Sequence, residues 1–311
     1  MRGRILVTPR SLTAEPHPYI EQLRSRGFDI VYSTPSALPG EEELLELVPG
    51  CTGWLAGVEP ISERVIDAAT SLKVISRNGT GTDNLPLALL KARGVTVAVA
   101  EGANARGVAE LAIGLMFSAL RYIPYADAGI KQGGWPRRRG MEINGRTVGV
   151  IGCGAIGREV ARMAVGLGAR VLAYDPARPD IDLPPHSFAF GTITEVLGGS
   201  DVVTLHCPPS RDGRPLLDRN ALTAMRPNAV LLNTARATLV DEKALLAALN
   251  EGRLAAYATD VFEQEPPRDR TLACHDRVIV TSHIGGFTAE SVDRATEIAV
   301  ANIVAILRPA A

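Results

Sequence analysis

Residues 146–175 read RTVGVIGCGAIGREVARMAVGLGARVLAYD. Arg146 to Ile151 form a compact β-rich run, and Gly152-Cys153-Gly154-Ala155-Ile156-Gly157 follow it as a glycine-rich turn. Val160, Met163, Ala164 and Leu167 then recur on one helical face, and Arg170–Tyr174 reads as a second strand ending at Asp175. In that order Gly152 permits a tight turn, Gly154 lets backbone approach a pyrophosphate, and Gly157 lets helix and strand pack closely. The helix start offers unbonded N–H groups and a positive dipole to phosphates. Asp175 stands where a carboxylate can accept both ribose hydroxyls and repel a 2′-phosphate, which favours NAD over NADP. A glycine turn alone serves ordinary βα geometry equally well. The ordered strand, turn, helix, strand and acid mark a dinucleotide site.

Working outward, the 311 residues suit two domains better than one. A hydrophobic share of 46% and a charged share of 22% fit a globular chain, and the mean hydropathy of +0.09 implies an ample core. The net charge of −1 argues against a nucleic-acid partner, whose surfaces show a basic excess. The cations are nearly all Arg, and Arg clusters can bind anions. No apolar run reaches the roughly 18 residues of a membrane span, and the start lacks a signal-peptide pattern, so no membrane partner is expected. Cys51, Cys153, Cys207 and Cys274 are far apart with no CxxC pair. That spacing predicts no disulfide framework and no metal site, in a reducing cytoplasm.

The rest of the chain alternates apolar runs with helical patterns and shows no repeat. Strands are expected at Ile5–Thr8, Ile30–Ser33, Gly53–Gly57, Lys73–Ser76 and Val95–Ala98, with helices near Pro18–Arg26, Glu41–Val48, Ser62–Ala69 and Pro86–Ala92. A long helix is expected over Asn104–Arg121, where Val108, Leu111, Ala112, Leu115, Met116 and Ala119 form one stripe. The stretch Tyr122–Gly145 is expected to be irregular, and is long enough to be functional or an oligomer arm. A second series has strands at Thr147–Ile151, Arg170–Tyr174, Asp201–Leu205, Val230–Asn233, Ala255–Thr259 and Val278–Thr281. A helix over Thr288–Leu307 closes the chain. The fold class is α/β, with parallel sheets covered on both faces.

Exchange of a hydride between an alcohol and a ketone needs a proton carrier, for which His is suited near neutral pH. Of the five histidines, His17, His186 and His275 sit near the start or in polar segments, and His206 ends an apolar strand. His283 follows the strand Val278–Thr281, at the strand end where parallel sheets place ligands. Arg236 also follows a strand. It could cap a helix or pair with Asp241, but its fork matches a planar carboxylate. Glu265 reads either as part of an acidic loop ending at prolines or as a carboxylate held against His283, which would raise the histidine pKa and fix its ring.

These residues resemble the D-isomer-specific 2-hydroxy acid dehydrogenases, especially the short phosphoglycerate-dehydrogenase-like members. The likeness runs through Arg77-Asn78-Gly79-Thr80-Gly81-Thr82-Asp83-Asn84, Gly102-Ala103-Asn104 with Val108-Ala109-Glu110, the glycine turn, Asn233-Thr234-Ala235-Arg236 with Val240-Asp241-Glu242, Asp260-Val261-Phe262-Glu263 with Glu265-Pro266, and Ser282-His283-Ile284-Gly285-Gly286. It implies two Rossmann-like or flavodoxin-like domains. An NAD-binding domain of residues 100–284 would be inserted into a discontinuous substrate domain of residues 1–99 plus 285–311, with a cleft closing over substrate. It implies NAD-dependent exchange of a hydride with a small anionic D-2-hydroxy or 2-keto acid. Arg236 would grip the substrate, His283 would move the proton and Glu265 would tune it. Asn78 and the N–H groups of Gly79, Thr80 and Gly81 would receive the carboxylate. Val108, Cys207, Pro208, Thr234, Asp260 and Gly286 would join Gly152, Gly154, Ala155, Ile156, Gly157 and Asp175 around the cofactor. A homodimer would form through residues 104–145.

The sequence also departs from the family pattern. Ala237 stands where the family usually has Gly after the Arg, which adds one methyl group. Asn78 sets a polar side chain beside the carboxylate nest. Arg137-Arg138-Arg139 reads as a solvated loop or as a reach into a neighbouring subunit. The chain ends just after its last helix, so no regulatory domain is expected. Two other functions fit parts of the pattern. One is a dehydrogenase of another small anion such as formate or phosphite. The other is an NAD-sensing corepressor-like protein, against which the lack of long tails counts.

Overall fold

The computed structural model describes residues 3–210 and 212–307. Expectations for Met1, Arg2 and residues 308–311 lie outside the described residues. The chain divides into two compact units. One holds the residues up to Asn104 and those from Gly286 onward, and the other is Ala105–Gly285.

In the first unit five strands, β1 (Arg4–Val7), β2 (Asp29–Tyr32), β3 (Cys51–Ala56), β4 (Val74–Arg77) and β5 (Thr96–Ala98), form a parallel sheet in the order β2-β1-β3-β4-β5. The central strands are nearly continuous buried runs, as a sheet covered on both faces requires. Successive side chains alternate between faces. Leu6, Trp54 and Ile75 enter one core with Leu44 and Val65. Ile5, Val7, Leu55 and Val74 enter the other, with Ala299, Val300, Ile303 and Val304 of the last helix, Ala289–Ile306. That helix starts where the Thr288 hydroxyl accepts the Ser291 N–H at 3.1 Å, a capping bond that satisfies one orphan donor.

In the second unit β6 (Thr147–Ile151), β7 (Arg170–Tyr174), β8 (Phe188–Phe190), β9 (Val202–Leu205), β10 (Ala229–Asn233), β11 (Leu254–Thr259) and β12 (Val278–Val280) form a parallel sheet. Its order is β12-β11-β10-β9-β6-β7-β8. The α/β class with two parallel sheets is therefore as expected. Strand order reverses at β6, between β7 and β9, and the crevice at such a reversal is where open α/β sheets bind ligands.

Two local expectations are corrected. Ile123–Lys131 is a helix, not irregular chain, although none of its residues is buried. Its apolar stripe of Ile123, Ala126 and Ile130 is short and interrupted by Pro124 and Gly129, and left-handed Tyr122 separates it from the helix Ala105–Arg121. It leaves Ile123, Tyr125 and Ile130 exposed, as is Trp135 beyond it, and the Arg138 guanidinium lies 3.7 Å from the Tyr125 ring centre. The second correction is β8, a three-residue edge strand just after Pro184-Pro185, which is too short to show alternation. Among the described residues no single helix is long and apolar enough to cross a membrane.

Candidate functional site

The glycine turn sits at the strand-order reversal. Gly152 has φ +92°, and a Cβ there would meet the His206 carbonyl at 2.6 Å. Gly157 lets the helix Ala155–Gly166 approach so closely that a Cβ would lie 1.9 Å from the Gly152 oxygen. Gly154 faces open space and heads that helix. Ala155 beside it is exposed, and Ile156 is half-buried. At the end of β7 the Asp175 carboxylate accepts the Cys153 N–H at 2.7 Å and the Ala177 N–H at 2.8 Å. An acceptor acid is thereby fixed beside an open helix N-terminus that offers donors, a pairing that fits a ribose and a pyrophosphate.

Other expected cofactor residues stand at the ends of neighbouring strands. Cys207 and Pro208 follow β9, and Gly152 packs against the Cys207 backbone. Burial pushes the thiols of Cys153 and Cys207 up to about 12 and about 11, so both stay uncharged near neutral pH. Thr234, after β10, is buried and its hydroxyl oxygen has no hydrogen-bond partner among the described residues. Val108 and Asp260 both border Gly285. Gly286 belongs to the first unit, where it packs on Asn104.

Past the end of β12, His283 holds a left-handed backbone at φ +55°. Its Nδ1 lies 2.7 Å from Glu265 Oε2, while Glu265 Oε1 accepts the Phe262 N–H at 3.1 Å. Buried Asp260 fastens the loop that carries His283. Its carboxylate accepts the Thr281 hydroxyl at 2.6 Å and the N–H groups of Ile284 and Gly285 at 2.9 and 2.8 Å. Arg236 follows β10 in a turn framed by buried Asn233. The Asn233 amide donates to the Arg236 carbonyl at 2.8 Å, and its oxygen accepts the Ala235 N–H at 3.0 Å. Asp241, the other partner open to Arg236 on sequence, caps the helix Glu242–Asn250 by accepting the Ala244 N–H at 3.0 Å.

These groups shape each other's charge. The hydrogen bond that His283 donates to Glu265 raises the His283 pKa above its ordinary value, against burial and the Arg236 charge. Burial would raise Glu265, but the bonds from His283 and Phe262 and the charges of His283 and Arg236 hold it below the usual carboxylate range. The result is an imidazole protonated more readily than usual beside a carboxylate that stays ionised, with both side chains part-exposed. Such a pair can give or take a proton at Nε2. His206 differs. Burial pushes it down to about 3, so it is neutral. His17 caps the helix Pro18–Ser25, and His275 accepts the Arg277 N–H. Sequence reasoning missed Asn233 and Thr281, which frame the set. Both are polar residues at strand ends in otherwise apolar runs.

In the first unit Asn78, Gly79, Thr80 and Gly81 follow β4. Among the described residues no backbone hydrogen bond uses the N–H groups of residues 79–82, and a Cβ on Gly79 would meet nothing within 4 Å. The Asn78 side-chain oxygen accepts from the Thr296 hydroxyl at 3.4 Å. The described residues contain no group of three or more His, Cys, Asp or Glu placed to hold a metal.

The family model for the D-isomer specific 2-hydroxyacid dehydrogenase NAD binding domain matches residues 113–285. The hydroxypyruvate reductase of Thermotoga maritima is 37% identical over 257 residues, 81% of this chain and 83% of that protein. The D-3-phosphoglycerate dehydrogenase of Methanocaldococcus jannaschii is 39% identical over 273 residues, 86% of this chain and 52% of that protein. The chain thus spans about half the length of the phosphoglycerate dehydrogenases it matches. A solved protein of Thermus thermophilus superposes with a TM-score of 0.86 at 33% identity, covering 98% of this chain and 96% of that one. The D-lactate dehydrogenase of Aquifex aeolicus, solved with NAD and lactic acid, superposes with a TM-score of 0.81 at 28% identity, covering 97% and 94%.

Proposed function

The chain belongs to the D-isomer specific 2-hydroxyacid dehydrogenase family, and from that premise we propose that it interconverts a small D-2-hydroxy acid and the matching 2-keto acid. The observation that carries this reading is the 2.7 Å contact between His283 and Glu265, with the Arg236 charge bearing on both. NAD is the cofactor, and when bound it supplies the hydride exchange at its nicotinamide ring. The open N-terminus at Gly154 would hold the pyrophosphate, and Asp175 the ribose.

In the reducing direction the Arg236 guanidinium holds the substrate carboxylate and polarises its carbonyl. His283 donates the proton that turns the carbonyl oxygen into a hydroxyl, and Glu265 stabilises the imidazolium beforehand. In the first unit, the N–H groups of Gly79, Thr80 and Gly81, with Asn78 beside them, form a turn whose open donors suit a carboxylate. In the oxidising direction neutral His283 takes the proton back. Initial rates with NADH and a panel of 2-keto acids, including phosphorylated and dicarboxylic ones, test this reading beside NAD with formate and with phosphite. Turnover of at least one 2-keto acid is expected. Turnover of formate or phosphite alone would replace the reading.

The proton step fixes a pH dependence. His283 is raised, so the protonated form needed for reduction is complete below that raised value. kcat/KM for the keto acid should fall as pH rises through it, and oxidation should gain over the same interval. Glu265→Gln removes the largest cause of the shift, so the fall should move to lower pH, with a loss of roughly 10²-fold near neutral pH. A pH profile that Glu265→Gln leaves in place would remove Glu265 from the proton-carrying pair.

A further inference from the structure

Arg77, the last residue of β4, is only 5% exposed. A guanidinium buried to that degree needs a purpose, because packing alone is served as well by an apolar side chain. Its Nε donates to the Gly81 carbonyl at 2.8 Å, and its Nη1 donates to the Ala56 carbonyl at 3.1 Å. One side chain thus ties the end of β3 to the turn after β4. Asn84 adds a second tie. Its amide donates to the Glu59 carbonyl at 2.6 Å, and its own carbonyl accepts the Ile61 N–H at 3.2 Å. Glu59 is fully buried, accepts the Gly57 N–H at 3.0 Å and the Thr8 hydroxyl, and feels the Arg77 charge.

The consequence for the turn is geometric. In a planar trans peptide the carbonyl and the following N–H point opposite ways. The Gly79 carbonyl is held by the Ala100 N–H at 2.9 Å, so the Thr80 N–H points away from the strand. The Gly81 carbonyl is held by Arg77, so the Thr82 N–H points away from the guanidinium. The Thr80 and Thr82 N–H groups are therefore directed donors that no backbone carbonyl of the described residues uses. This is the arrangement that attracts an anion.

We propose that Arg77 is a positioning residue for the substrate carboxylate: by holding the Gly81 and Ala56 carbonyls it pins the turn at its Gly81–Thr82 end, aims the Thr82 N–H outward and so sets how tightly a carboxylate binds at that turn. The proposal rests on the dehydrogenase reading above, and its test separates the two. In the full-length protein saturated with NADH, Arg77→Met and Arg77→Lys are compared with the unaltered chain. Three quantities are measured: kcat and KM for a 2-keto acid, oxalate affinity by calorimetry, and NADH affinity by fluorescence.

Arg77→Met should raise both KM and the oxalate Kd by about 10–100-fold, the scale of a lost charge-assisted contact. kcat and NADH affinity should change little. Arg77→Lys, which keeps the charge and one donor direction, should recover part of the loss. A fall in kcat or Tm with KM and oxalate affinity unchanged would assign Arg77 a structural role and overturn the proposal. If Arg77→Met does not fold, Arg77→Lys decides alone through the same split. An unaltered protein that binds oxalate but reduces no 2-keto acid would sink the dehydrogenase reading, and the oxalate measurements would still judge Arg77. An unaltered protein that binds no oxalate overturns the proposal.

Discussion

Replacing His283 should lower kcat for 2-keto acid reduction by about 10³-fold, inside the 10²–10⁴ range of a positioned acid–base group. NADH affinity should stay within about twofold, because the loss concerns a group that acts in the chemical step. The structure explains why the two can separate. The loop around His283 is fastened by Asp260 through Thr281, Ile284 and Gly285, and none of those bonds involves the imidazole. The choice of replacement matters because His283 has φ +55°. Left-handed backbone costs most residues about 1–2 kcal/mol, while Asn adopts it readily. His283→Asn therefore isolates the lost proton carrier, and His283→Ala adds backbone strain to it. Near-normal turnover in the Asn variant would strip His283 of its assigned role. A collapse of NADH affinity in both variants would show instead that the loop had come apart.

Gly157→Ala should weaken NADH binding by roughly 10–100-fold, the equivalent of the 1–3 kcal/mol that overpacking a tight site costs. The added methyl would sit 1.9 Å from the Gly152 oxygen and 2.9 Å from its carbonyl carbon. Both are backbone atoms of the turn itself, so no side chain can swing aside to make room. The helix has to draw back from the strand, and its N–H groups go with it. Gly166→Ala at the other end of the same helix is the control, since a Cβ there meets nothing within 4 Å. Fluorescence titration with NADH should separate the two variants, and equal affinities for both would refute the close-packing account of the turn.

What the sequence made legible is what lies close together along the chain. The glycine turn and Asp175 are bounded within one strand–helix–strand unit, and every link in that unit has a sequence signal. His283 and Arg236 could be singled out because each follows an apolar run at a strand end, whereas Glu265 lies in an acidic loop before Pro266-Pro267. Their meeting was harder to read: Glu265 could equally have been a solvated loop acid until the 2.7 Å contact placed it. The ties made by Arg77 and Asn84 were illegible, since their partners are carbonyls whose positions depend on the sheet order. The helix Ile123–Lys131 escaped although Ile123, Ala126 and Ile130 recur at helical spacing, because Pro124, Gly129 and the following Gly133-Gly134-Trp135-Pro136 read as loop. One available signal went unread: Thr192 and Glu195 form a capping box that opens the helix Ile193–Gly199.

The last helix also bears on how the chain is made. One face of the first sheet, with Ile5, Val7, Leu55 and Val74, is closed by residues of Ala289–Ile306, and residues 105–285 intervene. A ribosome delivers the second unit whole before it delivers that cover. Until then that face of the first sheet has only the cover supplied by its own segment, through Leu12, Ile20 and Leu23. Nascent chains in that condition are prone to aggregate. The first unit, begun before the second, is therefore completed after it.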